Sequence, residues 1–152
     1  MSKHLKTVLY KVVLISMLSG LLGFTIALAA SGDLDTTFDG DGMVTTNLVP
    51  SNPGRADLAQ DLALQPDGKI VAVGYSYDPS NTSQAWDFSV TRYNPNGTLD
   101  KTFSADGKVT IDFGGYDQGY AILSQPADGR YVLGGYTCDP PSCAFGLARV
   151  LP

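Results

Sequence analysis

The stretch Gln65-Pro66-Asp67-Gly68-Lys69-Ile70-Val71 returns at residues 125–132 as Gln-Pro-Ala-Asp-Gly-Arg-Tyr-Val, with one inserted residue. In both copies a turn containing Pro and Gly separates two apolar stretches. Proline sets one turn dihedral and glycine accepts a positive φ, which is the combination that reverses a chain tightly. Each copy is therefore predicted to contain a β-hairpin at this point.

The repetition extends outward from the hairpin in both directions. Leu-Asp-x-x-Phe occurs at 34–38 and 99–103, and Gly-x-Val-Thr occurs at 42–45 and 107–110, both at a spacing of 65 residues. The segment 88–92 returns at 145–149. Self-similarity at a fixed period is the mark of repeat architectures, so we divide the chain into two repeats, about 32–96 and 97–152.

Each repeat is predicted to form four short strands. Alternating apolar residues and turn signals place the strands of the first blade at 62–64, 69–75, 88–93 and 108–113, so its fourth strand comes from the start of the second repeat. The second blade shows the same pattern at 120–123, 130–136 and 145–150, and the segment 42–47 corresponds to a fourth strand that precedes the first strand of the first blade. The predicted fold is all-β, with two four-stranded antiparallel blades after an N-terminal signal helix.

Composition supports an all-β fold. All 15 acidic residues are Asp and none is Glu, and the chain contains 17 Gly and 9 Pro. Asp favours turns and caps, whereas Glu favours helix interiors. This usage is typical of strands joined by tight turns.

Taken together, these motifs resemble the delta-60 repeat family of bacterial exported proteins. The resemblance covers about residues 32–152 and includes Phe-x-x-x-Arg-Tyr-Asn-Pro-Asn-Gly at 88–97. It implies one β-propeller-like blade of four strands per repeat and no established activity. Propellers usually close with about four to eight blades, and this chain has two.

The order of the strands suggests a partner. The chain opens on a fourth-strand segment, 42–47, and ends after a third strand at Val150, so its ends are complementary halves of one blade. We predict a head-to-tail homo-oligomer in which these ends pair. One alternative is a monomer in which the first strand folds back onto the second repeat as an eight-stranded sandwich. The other is a truncated remnant of a longer repeat protein that folds poorly alone.

Residues 1–29 are predicted to be a signal peptide. Lys3, Lys6 and Lys11 precede an uncharged apolar run from 12 to 30, and Ala27-Leu28-Ala29 places small residues where signal peptidase cuts. An uncleaved anchor is the alternative, although Ser and Gly residues interrupt the run. The expected destination is the cell surface, the periplasm or the medium, and the mature β domain spans 30–152.

The predicted mature chain is acidic. It keeps seven basic and 15 acidic residues, a net charge of −8. Such a surface repels nucleic acid and anionic lipid, so we expect no nucleic-acid partner and no membrane contact after the leader is removed.

Catalysis is not expected. The only histidine, His4, lies in the leader, which leaves the mature domain without an imidazole base or ligand. We predict no catalytic, cofactor-binding or metal-binding residue. The alternative is a small Asp-dependent carbohydrate-active enzyme that uses paired carboxylates. Asp39-Gly40-Asp41-Gly42 resembles part of a calcium loop but lacks a distal Glu and further ligands, so we interpret it as a turn.

Cys138 and Cys143 enclose four residues and are predicted to form a structural disulfide. A metal site would be short of ligands, and a redox-active pair more often has the spacing Cys-x-x-Cys.

The long connection between the second and third strands of the first repeat, residues 76–87, carries Tyr77 and Trp86. Exposed aromatics there could bind a glycan or a surface protein, and the plainer alternative is that they pin the connection onto the blade. The leading hypothesis is an exported, non-catalytic β-propeller-type module for binding or assembly.

Overall fold

The computed structural model describes residues 30–49, 56–77 and 86–152. Within these ranges the regular structure is β-sheet, and no helix has the length and apolar character needed to cross a membrane. The predicted signal helix and cleavage site at 1–29 lie outside the described residues.

Seven strands form two antiparallel sheets. Sheet one has the order β1-β2-β3-β4 and sheet two the order β5-β6-β7. The strands are β1 (Asp57–Leu64), β2 (Ile70–Tyr77), β3 (Trp86–Tyr93), β4 (Lys108–Ile111), β5 (Tyr116–Gln125), β6 (Arg130–Asp139) and β7 (Ser142–Val150). The predicted all-β fold built from antiparallel repeats is confirmed.

Two details of the predicted strands are wrong. The first strand of each repeat begins five and four residues earlier than expected, because bulges at Ala59/Asp61 and Gly119/Ala121 break the two-residue alternation on which the prediction relied. Sheet two has three strands instead of four.

The predicted fourth-strand segment at 42–47 is not a strand in this structure. Residues 43–48 instead lie along sheet one, where the Tyr93 hydroxyl donates to Thr46 Oγ1 at 2.7 Å and Lys108 Nζ donates to the Asn47 carbonyl at 2.7 Å. The segment joins neither sheet by a ladder, so the fold-back onto the second repeat is not observed. A strand needs a partner edge, and sheet one already has its own fourth strand, β4.

The turns follow the sequence signals. Gly68 and Gly129 have φ of 82° and 71°, and the Gly68 N–H donates to the Gln65 carbonyl at 2.9 Å. Residues 39–42 form a turn that is repeated at 104–107. In both copies the N–H of the final glycine donates at 2.7 Å to a phenylalanine carbonyl, that of Phe38 or Phe103.

The hydrophobic core lies between the two sheets, where β5 packs across β1, β2 and β3. The buried apolar side chains that form it are Val71, Val73, Phe88, Val90, Phe103, Tyr131 and Leu133.

Candidate functional site

The structure brings the predicted cysteine pair together. Cys138 and Cys143 are direct partners in the β6–β7 ladder and form a disulfide, as predicted. The disulfide closes the hairpin formed by residues 139–142. Such a bond is consistent with an extracellular or periplasmic location.

Tyr77 and Trp86 were expected in the connection but lie in β2 and β3, because the ladder between these strands extends further than predicted. They are directly opposite each other, with ring centroids 5.8 Å apart. Both are half-buried. Trp86 also contacts Tyr75 at 5.3 Å, and Tyr75 reaches Tyr120 of sheet two at 6.2 Å. The two residues therefore belong to a band of aromatic rings that runs from sheet one to sheet two.

Phe88 makes a close contact between the two sheets. Its ring, fully buried, lies against a row of glycines formed by adjacent strands of sheet two, Gly119, Gly135 and Gly146. A Cβ at Gly135 would lie only 2.6 Å from Phe88 Cζ, and one at Gly146 would lie 3.1 Å from it. The glycine row is a slot shaped for this ring. Phe113 completes it, with its ring centroid 5.1 Å from that of Phe88.

The repeat gives sheet one a matching row. Ala59, Gly74 and Ser89 occupy the positions of the three glycines and are paired across β1, β2 and β3 in the same register. These residues line a cavity of about 270 Å³, which the segment 44–48 borders. A cavity of roughly 150 Å³ is enough to hold benzene. Sheet one therefore presents a slot that can accept an aromatic ring.

Sheet two presents the matching ring. Phe145 occupies the position of Phe88 in the second repeat and is 95% exposed. Leu147 and Leu123 on the same sheet are 70% and 65% exposed. We call this set the apolar strip. An apolar surface of this kind marks an interaction site more often than chance exposure does.

A buried ion pair accompanies the Phe88 contact. Arg92 Nε donates to Asp100 Oδ2 at 2.8 Å, and Lys69 Nζ lies 3.1 Å from the same oxygen. The Thr102 hydroxyl, together with Lys69 and Arg92, holds the pKa of Asp100 well below its ordinary value against the opposing effect of burial. The Arg92 guanidinium also lies 4.7 Å from the centroid of the Phe103 ring.

The repeat contains counterparts of Arg92 and Asp100, but these do not form an ion pair with each other in this structure. Arg149 corresponds to Arg92 and Asp35 corresponds to Asp100, and both are exposed. Asp35 accepts hydrogen bonds from the Thr37 N–H and hydroxyl, as Asp100 does from Thr102, and these bonds lower the pKa of Asp35. The sequence analysis missed Phe145, Leu147, Arg149 and Asp35, although the repeat alignment to Phe88 and Asp100 is the signal that could have found them.

A β-propeller family model matches residues 65–103. The matched family is described as a domain of unknown function (DUF5122) beta-propeller, and the match spans β2, β3 and the connection that follows. It supports a β-propeller-like repeat, in agreement with the two stacked sheets. No curated protein and no solved structure matches the chain significantly.

Among the described residues, one group of three side chains could ligate a metal ion: Asp87, Asp112 and Asp117. The sequence analysis did not single them out, because they are separated along the chain and only the packing of β3, β4 and β5 brings them together.

Proposed function

We propose that this protein is an exported, non-catalytic β-propeller-type module that assembles head to tail with copies of itself. One observation carries the proposal: the Phe88 ring fills the glycine slot of sheet two, while its counterpart Phe145 is exposed and the counterpart slot on sheet one is open. The contact inside one chain thus supplies a template for the contact between chains.

The template predicts a register. In sheet one, Phe88 pairs with Ile111 and Val90 pairs with Val109. In the repeat, Phe145 and Leu147 correspond to Phe88 and Val90. Their partners Ile111 and Val109 correspond to Thr46 and Val44. The template therefore pairs Phe145 of one copy with Thr46 of the next, and Leu147 with Val44. The segment 43–46 would then become the fourth strand of sheet two in the neighbouring copy.

Charge supports the same arrangement. In the template, Arg92 meets Asp100 in a buried pair. In the assembly, Arg149 would meet Asp35 of the next copy. Opposite charges placed this way favour the correct register and penalise slipped ones.

The fit needs the two sheets to adjust. Ala59 and Ser89 carry a Cβ where sheet two has glycine, and in the template these Cβ positions lie 3.3 and 3.1 Å from the Phe88 ring. A shift of a few tenths of an ångström relieves both contacts with the ring. A Cβ at Gly119, the counterpart of Ala59, would also lie 2.7 Å from the Gly74 carbonyl oxygen, so the facing backbone must move as well. The central position, where no Cβ fits, is glycine in both rows.

Ring closure sets the number of copies. Each chain contributes two blades, so two copies would supply four blades and three copies six, both within the usual range of propellers. Closure would cover the open edge of β7, which otherwise offers unpaired backbone groups. The aromatic pair Tyr77 and Trp86 remains our candidate contact for a glycan or a surface protein.

The test is the native mass of the mature protein at micromolar concentration. We expect a dimer or trimer of the wild type and a monomer of Phe145→Asp, which places a charge in the slot. Ser142→Asp adds the same charge to β7 outside the predicted register, and this control should keep the wild-type mass. A wild-type monomer that unfolds cooperatively would overturn the assembly, and a chain that does not fold would favour the truncated remnant.

Cysteine pairs test the register directly. Val44→Cys with Leu147→Cys should give covalently linked copies on oxidation, because cross-strand partners lie within reach of a disulfide. Met43→Cys with Leu147→Cys is offset by one residue and should link poorly. Equal linking by both pairs would contradict the predicted register.

A further inference from the structure

Three carboxylates converge where the two sheets meet. Asp87 lies near the start of β3, Asp112 follows β4 and Asp117 lies near the start of β5. One oxygen from each lies within 4.8 Å of the others. Asp87 and Asp117 are buried, and Asp112 is exposed.

Asp117 has a structural role that uses one of its oxygens. Oδ2 accepts the Phe113 N–H at 2.5 Å and so fastens the connection between the sheets. Asp57 does the same for Leu48 in the first repeat, at 2.9 Å. The side chain of Asp117 is fully buried. Its other oxygen, Oδ1, has no hydrogen-bond partner among the described residues and no contact with solvent. A buried carboxylate oxygen without a donor is costly, which points to a ligand.

The repeat has neutral residues at the positions of the other two carboxylates. Asp112 Oδ1 accepts the Gly114 N–H at 2.6 Å, and in the first repeat Asn47 makes the same turn with the Val49 N–H at 3.0 Å. An asparagine therefore suffices for this turn. The position of Asp87 is taken by Ala144 in the second repeat. Asp87 and Asp112 therefore belong to this junction between the sheets and not to the repeat pattern.

Oxygen-only ligands select a hard cation. Carboxylates at this separation repel one another unless a positive charge lies between them. Calcium accepts six to eight oxygens in flexible geometry, and three carboxylates can supply three to six of them with water completing the shell. No sulfur or imidazole ligand that would favour a softer metal belongs to the cluster.

We propose that Asp87, Asp112 and Asp117 form a calcium site that ties sheet one to sheet two. By comparison with extracellular calcium modules, the expected Kd is about 10⁻⁴ to 10⁻³ M. The site lies within one chain, so it does not depend on the assembly proposed above. The matching positions at an interface between copies, Ala144, Asn47 and Asp57, contain one carboxylate and would not bind.

The test is a thermal unfolding series of chelator-treated protein with added CaCl₂. Wild type should gain about 5–11 °C in Tm at 10 mM CaCl₂, and less with MgCl₂, which demands stricter octahedral geometry. The decisive variant is Asp112→Asn, because Asn47 shows that the turn tolerates asparagine. It should weaken calcium binding at least about tenfold in titration calorimetry.

The melting temperatures of wild type and Asp112→Asn, compared without and with calcium, distinguish ion binding from a structural role. Without calcium, Asp112→Asn should melt no lower than wild type because it relieves repulsion, and with calcium it should melt lower. The matched control is Asp57→Asn, which alters the equivalent of Asp117 in the first repeat and should leave the calcium response unchanged. A wild type that does not respond to CaCl₂, or a full response in Asp112→Asn, would overturn the site.

Discussion

Sheet one and sheet two are two copies of one design in different surroundings. Phe88 on sheet one is fully buried, and Phe145 at the same position on sheet two is 95% exposed. Both sheets keep the same strand registers, including the bulge in the first strand. The difference comes from the neighbour: sheet one has sheet two against it, whereas the corresponding face of sheet two is left exposed at Phe145 and Leu147 by the residues that the structure describes. Burial in a repeat protein is therefore decided by the next unit along the stack.

The largest expected contrast is between the two phenylalanines. Phe88→Ala should lower the free energy of unfolding by about 3–5 kcal/mol, because it removes a buried ring and leaves a cavity. Phe145→Ala should change it by less than about 1 kcal/mol, measured by urea unfolding at a concentration where copies are dissociated. Equal losses would mean that the two faces are equally packed.

The observed pair Arg92–Asp100 should contribute more to the stability of a single chain than the proposed pair Arg149–Asp35. Asp100→Asn removes the charge that balances buried Arg92 and should cost about 3 kcal/mol at neutral pH. Asp35→Asn, whose proposed partner is Arg149 of another copy, should alter the dissociated protomer little and weaken the proposed assembly instead. Urea unfolding and native mass separate the two effects.

The pH dependence follows from the lowered pKa of Asp100. Its contribution is complete above the unfolded value of about 4 and is lost as pH falls below it. Wild type should lose stability from about pH 5 to pH 2, and Asp100→Asn should flatten that fall. An unchanged slope in Asp100→Asn would assign acid sensitivity to other carboxylates.

A smaller contrast concerns neighbouring glycines on β6. Gly135→Ala should cost about 2–3 kcal/mol, because its Cβ would lie 1.9 Å from the Gln118 carbonyl oxygen as well as close to Phe88. At Gly134 the nearest atom is Leu147 Cδ2 at 3.7 Å, an ordinary contact, so Gly134→Ala should be within about 0.5 kcal/mol of wild type. Similar losses at both positions would show that the slot does not discriminate.

The smallest expected effect is that of the disulfide. Replacing Cys138 and Cys143 by Ser should cost about 1–2 kcal/mol, because the closed loop is short and removes little entropy from the unfolded chain. The change should be confined to the β6–β7 hairpin, as hydrogen exchange would report. A loss of the whole fold would give the disulfide a larger role than the core.

Much of the fold could be predicted from the repeat. The Pro-Asp-Gly turn located the β1–β2 hairpin because the residues that reverse the chain are local, and Cys138 with Cys143 could be paired because they are close in sequence. The starts of β1 and β5 could not be located, because a bulge shifts the alternation of side chains. The segment 42–47, expected to be a strand, is not one in this structure, since strand formation depends on pairing with another strand and not on residue type alone.

The features of the candidate sites also fall into two groups, those determined by sequence and those decided by tertiary structure. Sequence alone determined the two repeats, the turns and the lack of histidine after residue 4, because these follow from residue identity and spacing. Tertiary structure decided that Phe88 is buried while Phe145 is exposed, and that Asp87, Asp112 and Asp117 meet. These facts depend on which strands pack together, and packing joins residues whose separation along the chain carries no local signal.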